Sequence, residues 1–197
     1  MGDAGAGMSP GPAGDVALFA RAAGYALEAL AEVTDLDRPT PCAGWDLRAL
    51  LLHLADSADG LTALARGGEL ALPDPPRAGD ADPAAVARAR LLALLDAVTS
   101  AGDDGAGAAA RAGAVEVAAH GWDVARACGS TRPVPPGLAA DLLAVATSSL
   151  PDGVRPHLFA APVDLPATAP AEDRLVAFLG RRPAALPVAP GVSGPGS

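Results

Sequence analysis

Apolar residues in this chain recur every three or four positions and almost nowhere every second one, a spacing that commits it to helices. Val16, Leu18, Phe19, Ala22, Ala23, Ala26, Leu27, Leu30 and Val33 follow that period and predict a first helix from about Gly14 to Thr34. Strand formers are correspondingly scarce, since isoleucine is absent and valine is scattered. Pro39 and Pro41 make a loop of Asp35 to Gly44, and Asp46 is the expected N-cap of a second helix. Its apolar face runs through Leu47, Leu50, Leu51, Leu54, Leu61 and Leu64 until Gly67-Gly68 stops it. Four prolines between Ala71 and Pro83 make that segment an exposed crossover. Further helices are expected over Pro83 to Ser100, Ala109 to Cys128 and Pro136 to Leu150, with a loop over Ala101 to Gly107. A short helical piece near Ala171 to Leu179 interrupts a proline-rich tail. The expected organisation is a flexible segment 1–13, a helical bundle 14–150, a tail 151–185 packing on it and a disordered end 186–197.

Composition removes several kinds of chemistry. All 14 basic residues are arginine, and lysine, asparagine and glutamine are missing along with isoleucine, while 49 of the 197 residues are alanine. A lysine Schiff base and a phosphate-cradling Walker lysine are therefore excluded. The bias itself points to a GC-rich genome. With a net charge of −9 and arginines spread along the chain, nucleic acid is not an expected partner. No apolar run reaches the roughly 18–20 residues of a membrane span. The start, MGDAGAGMSPGPAGD, lacks the basic and apolar regions of a secretory signal, so the expected location is cytoplasmic with no membrane partner. Cys42 and Cys128 form neither a disulfide framework nor a Cys-x-x-Cys site and are expected as buried free thiols. The alanine-rich faces leave the oligomeric state open.

Against this plain background the three histidines, His53, His120 and His157, stand out. His120 follows Glu116 by four residues in VEVAAHGWD. Such a step returns to within about 40° on a helix, so both side chains leave the same face as a preset pair of ligands. His53, among leucines on an antiparallel neighbour, can supply a third ligand in the bundle core. Two imidazoles and a carboxylate leave coordination positions open, as catalytic divalent-metal sites do. A core histidine held by a hydrogen bond is the plain alternative for His53. Glu116 tips the balance, because Val115, Val117, Ala118 and Ala119 surround it and a buried carboxylate requires a partner.

Three stretches resemble one known family. Thr40-Pro41-Cys42-Ala43-Gly44-Trp45-Asp46-Leu47-Arg48, continuing to His53, is similar to the T-P-C-x-x-W motif of the mycothiol-dependent maleylpyruvate isomerase N-terminal domain family. That family belongs to the DinB-like superfamily of metal-binding four-helix bundles. Glu116 to Ala127 resembles the E-x-x-x-H-G-W-D motif of a branch described as metal-binding, and Phe159 to Pro183 resembles its tail. The resemblance implies an all-α, DinB-like four-helix bundle with an added helix and a proline-rich C-terminal tail. It implies His53, Glu116 and His120 as ligands of a divalent metal, zinc first, and mycothiol as the thiol cofactor. That thiol is actinobacterial, in keeping with a GC-rich source. The implied function is a metal-dependent thiol transferase or isomerase, with a small-molecule thiol and an electrophilic substrate as partners. The isomerase reaction itself is not assigned, because the residues after the fifth helix are too few and too proline-rich for the family's C-terminal α/β domain. The alternative is a non-catalytic metal-binding bundle that binds a ligand or partner.

Asp123, three residues after His120, is expected either to hold that imidazole's other nitrogen or to pair with Arg126 on the surface. Asp56 stands in the same relation to His53, reaching the site or facing solvent. Trp45 and Trp122 read as packing anchors, Cys42 as a plain loop thiol, and His157 as an exposed tail residue. Arginines at the bundle mouth are candidates for orienting anionic substrate groups.

Overall fold

The computed structural model describes residues 11–71, 81–101, 103–150 and 159–183. Among them the chain forms α1 (Pro12–Leu30), α2 (Leu47–Ala65), α3 (Pro83–Ser100), α4 (Asp103–Ala127), α5 (Pro136–Ser149) and α6 (Ala171–Phe178). No strand occurs among these residues, only an isolated bridge between Pro39 and Asp46, and the architecture is an all-α bundle of the DinB-like kind. No helix of the described residues is long and apolar enough to cross a membrane.

Most helix ends follow local chemistry. Asp46 caps α2 by accepting the Ala49 N–H at 2.8 Å, and Asp82 caps α3 through the Ala84 N–H at 3.0 Å. Proline begins α1, α3 and α5, where its fixed φ suits a first turn and its missing N–H costs nothing. Two boundaries depart from the periodicity. α1 begins at Pro12, inside the segment expected to be flexible, and ends at Leu30 rather than Thr34, its last turn unwinding through the Glu32 N–H bond to Ala29 O. The expected loop before α4 is helical from Asp103. Burial outweighs low glycine propensity there: Ala106, Ala109 and Ala110 are buried, and Gly107 lies against Pro12 of α1. His157 and most of the Ala71 to Pro83 crossover lie outside the described residues.

Helix directions follow from close contacts. Pro12 meets Gly107, Phe19 meets Gly113 and Ala26 meets Gly121, so α1 and α4 run parallel. His53 meets Glu116 whereas Leu61, two turns later, lies on Gly113, so α2 runs antiparallel to α4. α2 also packs on α3, which closes against α1, and α5 and α6 pack together at one side. Leu47, Leu50, Leu51 and Leu54 of α2 and Leu91 and Leu94 of α3 are fully buried, with Phe19 and a band of alanines from α1 and α4. Each leucine removed from water contributes about 1.5–3 kcal/mol.

Small residues let α1 and α4 approach closely. A Cβ on Gly121 would stand 2.9 Å from the Ala26 Cα, a backbone atom that cannot swing aside. Gly121→Ala thus sets a helix-propensity gain of about 1 kcal/mol against an overpacking penalty of about 1–3 kcal/mol. The expected outcome in denaturant unfolding is net destabilisation; a stabilised variant would show that the two helices do not meet this closely.

Candidate metal centre

The loop before α2 is built to present Trp45 and Asp46. Trp45 N–H bonds Cys42 O at 3.2 Å across a turn whose third residue, Gly44, has φ +85°, a conformation that favours glycine. The Thr40 hydroxyl donates to Trp45 O at 2.9 Å and accepts from the Cys42 N–H at 3.2 Å, closing the loop from inside. Leu47 N–H to Arg38 O and Arg48 N–H to Leu36 O, both 2.9 Å, tie its base to the start of α2. These bonds give the Thr40 to Asp46 motif its physical purpose. They hold the Trp45 ring 4.5 Å from that of His53 and, nearly parallel, 6.2 Å from that of His120.

Under that ring the structure brings His53, Glu116 and His120 together. One ligand atom from each lies within 4.8 Å of the others. His53 Nε2 is 3.0 Å and His120 Nε2 3.4 Å from the same oxygen, Glu116 Oε1. Behind His120, Nδ1 donates to Asp123 Oδ2 at 3.1 Å, and Asp123 is wholly buried. Arg126, the alternative partner of Asp123, turns instead to Glu172 of α6 at 2.8 Å. The cation on Asp123 is Arg181, whose Nη2 lies 2.9 Å from Oδ2 and which is itself buried.

Electrostatics follow this layout. Burial disfavours charge on His120, but the Glu116 carboxylate and the hydrogen bonds to Asp123 and Glu116 outweigh it and raise its pKa to about 9. Burial likewise works against the Glu116 carboxylate, yet the His120 charge and hydrogen bonds from both histidines hold it well below its ordinary value. Cys42 is pushed up by burial and by Asp123, with partial relief from Arg181, so its thiol stays protonated near neutral pH.

The residues present fit a divalent ion. Two imidazole nitrogens and one carboxylate oxygen already converge, and the Asp123 bond occupies His120 Nδ1 and leaves Nε2 for the metal. A second group, Cys42, His120 and Asp123, is equally compact. It is the poorer cation site, because the Arg181 guanidinium already donates to Asp123 and, at 3.5 Å, to Cys42 Sγ.

Trp122 is a buried packing anchor, as expected, and donates to Glu172 Oε1 at 2.8 Å, whereas Trp45, packed half-buried against the core, also lies over the two imidazoles. Asp56 is buried, and both cysteines are free thiols but only half-buried. Two functional residues escaped the sequence reading. Ser57 donates to Glu116 Oε1 at 2.8 Å, and its position four residues after His53 is the same spacing that singled out Glu116 and His120. Arg181 comes from the tail, 58 residues beyond Asp123, and no periodicity links them. A separate groove of about 530 Å³ between α5 and α6, lined by residues such as Leu143, Val163 and Phe178, holds none of these groups.

The family model of the mycothiol maleylpyruvate isomerase N-terminal domain matches residues 16–125, more than half of the chain. The match contains His53, Glu116, His120 and Asp123 but not Arg181. No curated protein and no solved structure matches the chain.

Removing Arg181 takes away one of the two cationic groups that buried Asp123 faces, leaving the His120 imidazole. Arg181→Ala is expected to lose about 3–5 kcal/mol in chemical denaturation of chelator-treated protein. The exposed Arg174, on the same tail, should change by no more than about 0.5 kcal/mol when replaced by alanine. A loss below about 1 kcal/mol for Arg181→Ala would mean that Asp123 is stabilised by other means.

Proposed function

Since the chain belongs to the mycothiol maleylpyruvate isomerase N-terminal domain family, we propose that it binds a divalent metal and activates a low-molecular-weight thiol there. The thiol its family points to is mycothiol, and the reaction class is transfer to, or isomerisation of, an electrophilic small molecule. One observation carries this reading: the ligand atoms of His53, Glu116 and His120 converge within 4.8 Å on two facing helices. A three-ligand set of this kind leaves room for an exogenous sulfur, which favours catalysis over a closed structural site.

A divalent ion held there, zinc first, supplies the positive charge that keeps a thiol sulfur ionised near neutral pH. The chain's own residues do the rest. His53 and His120 offer Nε2 lone pairs, and Glu116 neutralises part of the ion's charge so that it is retained without a fourth protein ligand. Asp123, acceptor-only while paired with Arg181, fixes the His120 tautomer with its proton on Nδ1. Trp45 packs its ring against both imidazoles, tilted over His53 and stacked toward His120. Burial and the neighbouring Asp123 favour the neutral thiol of Cys42, which makes it a poor nucleophile.

Protein purified without added metal is expected to carry about one divalent ion per chain by elemental analysis, lost in His53→Ala and in His120→Ala. Full retention of metal in both variants would end the assignment. With zinc at about a hundred times its Kd the wild type should gain about 2.7 kcal/mol of stability. Mycothiol should then raise the melting temperature further and support turnover of an electrophile such as monochlorobimane. Metal without any response to the thiol would instead mark a non-catalytic metal-binding bundle.

A further inference from the structure

Four hydroxyl side chains on the helices point back along their own backbone. Thr62 donates to Ala58 O at 2.7 Å, Thr99 to Leu95 O at 2.7 Å, Thr147 to Leu143 O at 2.9 Å and Ser148 to Val145 O at 2.9 Å. That is the ordinary resting place for a hydroxyl in a helix, where a carbonyl one turn back is always within reach. Ser57 does otherwise. It is only 2% exposed, yet its Oγ crosses from α2 to α4 and donates to Glu116 Oε1 at 2.8 Å, while standing 3.3 Å from His53 Nε2. A hydroxyl has one proton to give, and here it goes to the carboxylate. One lone pair of Oε1 is thereby occupied, and the Glu116 side chain is held from the opposite helix.

We infer that Ser57 is a positioning residue of the metal centre, its hydroxyl fixing the Glu116 carboxylate so that the ion meets one oriented oxygen rather than a freely rotating pair. The inference rests on the metal-binding reading of His53, Glu116 and His120. Its chemistry is that of a group that orients a ligand: a carboxylate free to turn can offer both oxygens and raise the coordination number, closing a position that an incoming sulfur needs. Ser57 reaches Glu116 Oε1 directly, so the effect requires no movement of the helices. Alanine at this position removes only the oxygen and leaves helix propensity unharmed.

The test is a Co²⁺ titration of the full-length chain against a competing chelator, with the visible spectrum recorded at saturation. Wild type should bind Co²⁺ with the intense absorption of a low-coordinate ion. Ser57→Ala should bind about tenfold more weakly and absorb less, as the coordination number rises. Ser57→Thr, which restores the hydroxyl, should recover both the affinity and the band. Wild-type affinity and spectrum in Ser57→Ala would overturn the inference while leaving the metal site standing. Equal losses in the alanine and threonine variants would also overturn it, since they would mark a packing role. Failure of wild type to take up Co²⁺ at all would remove the metal reading itself, and with it this role for Ser57.

Discussion

A carboxylate half-buried in a helical bundle must be compensated, and Glu116 is compensated by side chains from two helices at once. His53 and Ser57 reach it from α2, and His120 reaches it from the next turn of α4. Behind His120 the alternation of charge continues through Asp123 to Arg181 at the end of the tail. None of these groups is tolerable alone in so apolar a setting, because each buried charge leans on the next. The chain of contacts fixes where α2 lies against α4. It also draws residues 159–183 onto the bundle, since Arg181 is their deepest charged group and Glu172 bonds both Arg126 and Trp122 of α4.

Packing makes that polar chain possible. Alanine and glycine along α1 and α4 let those helices run nearly in contact, and Gly121, the residue after His120, stands against the backbone of Ala26. Bulkier residues there would push α4 outward and carry His120 with it. On the other side Leu47, Leu50, Leu51 and Leu54 of α2 are completely buried and hold His53 at the edge of the core rather than within it. The imidazole thus remains partly accessible, in keeping with the proposed entry of a small molecule. The Thr40 to Asp46 loop completes the arrangement by laying Trp45 across both imidazole rings.

Much of this was legible in the chain alone. Local signals marked six helices, with α3 matching at both ends, although α1 ends four residues before its expected limit and α4 begins six before. Glu116 and His120 were paired by a four-residue step, which is purely local geometry. The miss before α4 has a tertiary cause, for Asp103 to Gly107 reads as a loop until the start of α1 packs beside it. Ser57 obeyed the same four-residue rule relative to His53, but a serine in a helix ordinarily bonds its own backbone and so drew no notice. Arg181 lies in the tail stretch that resembles the family, but nothing local marked its role, because its partner lies 58 residues earlier on another helix.

The sequence by itself determined the helical class, the caps and breaks between helices, the exclusion of lysine chemistry, and the short list of side chains from which a site could be made. These are properties of neighbours along the chain, where spacing and residue type act directly on the backbone. Only the tertiary structure decided that His53 and Ser57 face Glu116, that Asp123 belongs to Arg181 rather than Arg126, and that Trp45 lies over the imidazoles. Those choices depend on how far apart helices pack and which way they run. Both are set by burial summed over the whole core, and no short segment of the chain contains that sum.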